Sequence, residues 1–123
     1  MRYLSLIFIL LFIGCSQKQP QKSKSATVIF KTPSMKFYDK GFITYYDNHI
    51  HLQVLNIGKV VLNLKIYDTQ ICQSTFKCLD NHTFNERYLD KSYPDTFMMD
   101  LFRQDKIYFK DKPKKIMIKV IKD

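Results

Sequence analysis

The stretch from Phe42 to Leu79 limits what this chain can become more than any other. Ile50, Leu52 and Val54 alternate with His49, His51 and Gln53, and Leu62, Leu64 and Ile66 alternate with Asn63 and Lys65. A two-residue period sends successive side chains to opposite faces of a pleated strand, whereas a helix would scatter the same residues around its axis. Before these runs the strand Phe42–Tyr46 leads to the turn Asp47-Asn48, and Asn56-Ile57-Gly58-Lys59 and Asp68-Thr69 follow as turns, the last leading into Ile71–Leu79. Asn, Asp and Gly supply the backbone conformations that tight turns require, so the pattern predicts antiparallel hairpins. One face of such a sheet is apolar and needs a cover, and the other stays wet.

The flanks extend the pattern. Thr27–Phe30 predicts a strand broken by Thr32-Pro33-Ser34, and Met35–Tyr38 a short second strand ended by Asp39-Lys40-Gly41. Near the end, Ile107–Phe109 and Lys115–Ile121 predict two more, with Ile116, Ile118 and Val120 facing inward. The segment 80–103 changes period. Thr83 with Glu86 fits a capping box, and Phe84 and Tyr88 share a helical face. Pro94 suits the first turn of a second helix, with Phe97 facing Leu101 and Met98 facing Phe102. Alanine, the best helix former, occurs only at Ala26. The expected fold is α+β, an antiparallel β-meander of four to six strands with two short helices packed on one face. If segment 80–103 is mostly loop, an all-β immunoglobulin-like sandwich follows instead.

The first fifteen residues, MRYLSLIFILLFIGC, have a different character. Met1-Arg2 is a short positive start, and Tyr3–Ile13 is apolar except for Ser5. This is the pattern of a secretory signal, and it is too short for the roughly 20 apolar residues of a spanning helix. Phe12-Ile13-Gly14-Cys15 resembles the lipobox of bacterial lipoproteins. By signal, size and composition the chain resembles the small lipoproteins of epsilon-proteobacteria. That resemblance implies cleavage before Cys15, diacylation of its thiol and often acylation of the new amine. A thiolate is nucleophilic enough to be alkylated by a lipid donor, and two or three acyl chains make a lasting anchor. Ser16, where an Asp favours inner-membrane retention in enteric bacteria, implies the outer membrane. The resemblance implies no activity.

The expected organisation is therefore a signal peptide over 1–14, a lipidated cysteine and flexible tether over 15–25, and one globular β-rich domain over 26–123. Ser16–Ser25 has no apolar residue apart from Pro20 and cannot bury anything. Of 20 Lys and Arg and 11 Asp and Glu, only Arg2 lies in the signal, so the processed chain keeps a balance of +8. A protein held at a membrane in the cell envelope meets little nucleic acid. Its excess of lysine suits solubility, anionic lipid head groups or another acidic envelope polymer. Another envelope protein is the remaining class of partner.

Once Cys15 is acylated, two thiols remain, Cys72 and Cys78. Extended chain separates them by about 20 Å, so a bridge requires Gln73–Lys77 to turn tightly. The other reading is two small buried hydrophobes on one strand. An oxidising compartment favours the bridge. His49 and His51 share a strand face and could hold a metal with a third ligand, but the alternation sends both outward to solvent and no Cys or acid cluster accompanies them. The chain lacks Gly-x-Ser-x-Gly, His-Glu-x-x-His and any glycine-rich phosphate loop, and Asp90, Asp95 and Asp100 are spaced too widely for an acid pair. Asn81-His82-Thr83 matches a glycosylation sequon by chance. No catalytic, cofactor-binding or metal-ligating residue is expected. The sequence reads as a non-catalytic interaction or structural module of the envelope. The alternative is a small-ligand or lipid carrier that uses its aromatic-rich face as a pocket.

Overall fold

A computed structural model describes residues 22–74 and 77–123. The described chain is predominantly β: eight antiparallel strands in one open sheet, with two short helices. The strands are β1 Lys22–Lys31, β2 Lys36–Tyr45, β3 His49–Asn56, β4 Lys59–Tyr67, β5 Gln70–Gln73, β6 Lys77–Asp80, β7 Ile107–Asp111 and β8 Ile116–Lys122. Their spatial order is β6-β5-β4-β3-β2-β1-β8-β7. Strands one to six therefore lie side by side in chain order, and the last hairpin adds to the free side of β1.

The strand count exceeds the expected four to six, and three local differences account for how the strands are cut. Met35–Tyr38 and Phe42–Tyr46 are not two strands. Lys36–Tyr45 runs unbroken through Asp39-Lys40-Gly41, because β1 pairs with it over its whole length, from Lys22↔Tyr45 to Lys31↔Lys36. Ile71–Leu79 folds back on itself as the β5–β6 hairpin. Lys22–Ser25, assigned to the tether on polarity, form the start of β1. Backbone pairing with the long β2 needs no apolar side chain, and the Ser25 backbone carbonyl and hydroxyl both bond Asp123.

The alternation does what it predicts. Ile50, Leu52, Val54, Leu62, Leu64 and Ile66 are buried, as are Ile116, Ile118 and Val120. They join Ala26, Val28, Phe30 and Ile43 in one hydrophobic cluster. Gly41 sits in the same face, opposite Val54, where a Cβ would lie 2.2 Å from the Gln53 carbonyl oxygen. Only glycine allows the two central strands to approach that closely.

The helices complete this cluster. Helix α1, Asn81–Tyr88, begins at Asp80, whose carboxylate accepts the Thr83 backbone N–H at 2.7 Å. The cap is therefore Asp80 rather than Thr83: the aspartate already lies in extended backbone at the end of β6, one residue ahead of the first helical turn. Phe84 is fully buried, and its ring meets that of Tyr88 at 5.1 Å. Helix α2, Phe97–Phe102, starts three residues after Pro94, whose carbonyl accepts the Phe97 N–H. Met98, Met99, Leu101 and Phe102 are all buried. Helix α2 touches both the edge strand β7 and the distant strand β4, and the Tyr45 hydroxyl of β2 donates to the Phe102 carbonyl at 2.9 Å. The sheet thus curls around α2. Its two edges are short strands, β6 carrying Lys77 and β7 carrying Lys110, which discourages pairing with another chain.

Candidate interaction surface

Antiparallel pairing fixes which turns share an end of the sheet. The turns around Thr32–Met35, Ile57–Gly58, Ser74 and Lys112–Lys115 all open toward one end, called the rim below, in steps: Gln73 pairs with Leu64 in the middle of β4, so the Ser74 turn stops short of the others. The opposite end carries Lys22, the turns at Asp47 and Asp68, and the last residue, Asp123. Ten residues of β1 separate the two ends by roughly 30 Å.

Lysines border the turns of the rim, while Lys22, Lys122 and Arg103 stand toward the other end. Lys31 and Lys36 flank the first rim turn, Lys59 follows the second, Lys77 follows the third, and Lys110, Lys112, Lys114 and Lys115 surround the fourth. All eight are exposed. Three acids near this end are already engaged, the first being Asp39, which accepts from the Asn56 amide beside the Ile57 turn at 3.3 Å. Asp111 accepts the Tyr93 hydroxyl at 2.6 Å, which with burial holds the phenol well above its ordinary pKa. Asp90 accepts from Ser92 and lies 2.9 Å from Lys114, which hold its carboxyl down at about 2. Asp47, Asp68, Asp80, Asp105 and Asp123 sit toward the opposite end. Lys31 and Lys36 face one another directly in the β1–β2 register, a like-charge pairing that weakens a sheet unless an anion lies between them.

The rim also carries exposed apolar groups. Ile57 is 97% exposed at the tip of the β3–β4 hairpin. Val60 and Val61 follow it, both exposed. The register shifts at Val54/Leu55, so Leu62 pairs with Val54 while Val60 pairs with Leu55. Val61 is the extra residue of a bulge, which stops the alternation from turning either valine into the core. Beside them, Met35, Phe37, Leu62 and Lys77 help line an open groove of about 320 Å³.

Backbone strain concentrates at the same end. Ile57, Ser74 and Lys115 are the non-glycine residues with positive φ among the described residues, at 50°, 60° and 57°. With Gly58 at 75°, the Asn56–Lys59 hairpin has both central residues left-handed, a type I′ turn. The first of these positions favours Asn, Asp or Gly, and a β-branched residue there is an outlier.

The residues singled out from the sequence fall elsewhere. Cys15 lies outside the described residues. Cys72 and Cys78 are bridged, as a directly opposed pair in the β5–β6 ladder with Cα atoms 3.9 Å apart. His49 and His51 both lie on the outer face. The His49 ring stacks between Tyr46 and Tyr67, at 4.4 and 4.8 Å. Burial, then Lys65 and His51, push its pKa down. His51 bonds Asn63, and His82 lies on α1 near Asp95 and Glu86. Among the described residues no three His, Cys, Asp or Glu side chains converge at metal-ligand distance. Asp90, Asp95 and Asp100 are apart, each with its own neighbour: Ser92, His82 and Thr96 respectively. The sequon residue Asn81 is buried, with its amide donating to the Asp68 carbonyl at 2.6 Å, so its nitrogen is not offered to a glycan.

Compared with protein-family models, curated proteins and solved structures, the chain shows no match.

The rim was not read from the sequence as a unit, because its members come from four turns far apart in the chain. One local signal was available. An isoleucine between Asn56 and Gly58 occupies a place where a turn has no use for it.

Proposed function

We propose that this chain is a membrane-anchored lipoprotein of the cell envelope that works as a non-catalytic interaction module. The rim carries this reading: exposed cations and exposed apolar side chains gather at one end of the sheet, opposite the end where the chain comes in at Lys22. A sequence that ends an apolar signal at Gly14-Cys15 supplies the anchor, and only six residues separate Cys15 from β1. Among the described residues no helix is long and apolar enough to cross a bilayer. The Ser16 position favours the outer membrane. Helices over 81–88 and 97–102 that fill the curl of an α+β meander fit a rigid scaffold for such a surface. The core is occupied by Phe30, Phe84 and Phe102.

A small-ligand or lipid carrier is the second reading, favoured by the groove beside Met35 and Phe37. At about 320 Å³ it reaches the lower end of the range of small-molecule sites.

The anchor is tested by labelling cells with a palmitate analogue and fractionating them. The wild-type chain should carry the label and sediment with membranes. Cys15→Ala should lose the label. A wild-type chain that carries no label, or Cys15→Ala that carries as much of it, would overturn the lipoprotein reading.

A further inference from the structure

We infer that the rim is itself a lipid-docking surface: the Ile57 tip enters the interface of an anionic bilayer while the surrounding lysines bind its head groups. This rests on the proposed envelope location but not on lipidation of Cys15.

Three occupants suit a cationic surface, and the apolar tip separates them. A soluble polyanion would use the lysines and leave Ile57 without a role. A protein partner would need roughly 800 Å² of complementary surface with an apolar centre, and lysine is depleted from such centres. The rim offers instead a small exposed aliphatic group, Ile57 with Val60 and Val61 behind it, and lysines at the neighbouring turns. A bilayer accepts that shape. Its interface takes up a protruding apolar group, and each lysine near an anionic surface adds attraction. The backbone adds a separate observation. Asn at position 57 would relieve the turn and pair with Gly58 as the preferred type I′ dipeptide, yet the chain has isoleucine there, fully exposed and in a left-handed conformation. The cost in local stability falls on a residue that is 97% exposed.

The test uses the chain from Ser16 to Asp123, which keeps the whole described core and carries no acyl group. Binding is measured by co-sedimentation with vesicles rich in phosphatidylglycerol and with vesicles of phosphatidylcholine alone. Binding to the anionic vesicles should be strong at low salt and fall as salt rises, with little binding to neutral ones. Ile57→Asn should fold at least as stably as wild type and lose about tenfold in affinity, the factor expected from withdrawing half of an isoleucine side chain from an apolar phase. Lys112→Glu should lose a comparable factor through charge alone. No binding to anionic vesicles would overturn the inference. So would Ile57→Asn binding as well as wild type, which would reduce the rim to a site for polyanions in general. Neither result bears on palmitate labelling at Cys15, so the two readings fail separately.

Discussion

Removing the Cys72–Cys78 bridge offers a sharp stability test, because its effect can be worked out from the loop it closes. The two cysteines are six residues apart in sequence. Cross-linking so short a loop removes about 8 cal/mol/K of chain entropy from the unfolded ensemble, or about 2.4 kcal/mol near room temperature. A domain of about 100 residues shifts its Tm by roughly 4–8 °C per kcal/mol, so Cys72→Ala/Cys78→Ala should melt about 10–19 °C lower. The loss should be global. The bridge staples β6, an edge strand of four residues, and helix α1 packs on both β5 and β6. Fraying there uncovers Ile71 and Phe84, which are 1% and 0% exposed.

The assay is thermal and urea unfolding followed by far-ultraviolet circular dichroism, comparing the double variant with oxidised and reduced wild type. Reduced wild type should melt with the variant, which separates the bridge from the lost sulfur atoms. The urea slope should change little if the native core persists, since that slope follows the surface exposed on unfolding. Oxidised and reduced chains melting within about 2 °C of one another would refute the reasoning. The hairpin would then be equally formed without its bridge, and the entropy assigned to the unfolded chain would be absent. A markedly lower slope would instead place the loss in the native state, with β6 and α1 already detached.

Two further outcomes follow from the structure. Gly41→Ala puts a Cβ 2.2 Å from the Gln53 carbonyl oxygen in the middle of the sheet and should cost about 3 kcal/mol or prevent folding. An unfolding free energy from urea titration within about 1 kcal/mol of wild type would show that β2 and β3 can separate there. Asp90, held at about 2 by Ser92 and Lys114, contributes stability that is present above its unfolded value near 3.9 and is lost as pH falls through about 2. Asp90→Asn should therefore flatten the acid limb of the Tm profile between about pH 4 and pH 2, while Asp80 and Asp123, also lowered by their hydrogen bonds, keep part of it. An unchanged acid limb would exclude the Asp90 contacts as a source of stability.

The parts of the fold legible in the sequence are those where one local rule acts alone. Strict alternation from Ile50 to Ile66 is enough to place two strands, their faces and their inward rows, because a one-residue slip would reverse every side chain. The helical segment was legible through Phe84, Tyr88 and the Met98–Phe102 pair, since four-residue spacing survives even in short helices. Boundaries set by pairing partners were not. Lys22–Ser25 and Asp39–Gly41 are polar or turn-prone by composition, and they are strand because the β1–β2 ladder pairs the first with Phe42–Tyr45 and the second with Ala26–Val28. The curl of the sheet depends on Tyr45 reaching Phe102, 57 positions away, and on α2 touching β4, which no reading along the chain brings together.

The same division explains why the rim escapes a reading along the chain while its members each look ordinary. A lysine beside a turn is unremarked in any one hairpin, and only antiparallel closure brings four such turns to one end. What marks the rim as more than a solvated edge is that several independent local preferences are overridden there together. A β-branched residue stands in a left-handed turn at Ile57, the bulge at Val61 leaves two valines in solvent, Lys31 opposes Lys36, and Ser74 and Lys115 hold positive φ. Each departure lowers stability slightly, and chance would distribute them over both ends. Natural sequences keep local choices consistent with the fold except where function requires otherwise. The opposite end has one conflict of another kind, the buried Asn81 Oδ1 without a hydrogen-bond partner, while its Asp80 caps a helix and its Asp123 pairs with Lys40 at 3.0 Å. Replacing Ile57 with Asn is therefore the substitution in which stability and binding should move in opposite directions, and the two together identify the rim as a surface kept for contact rather than for folding.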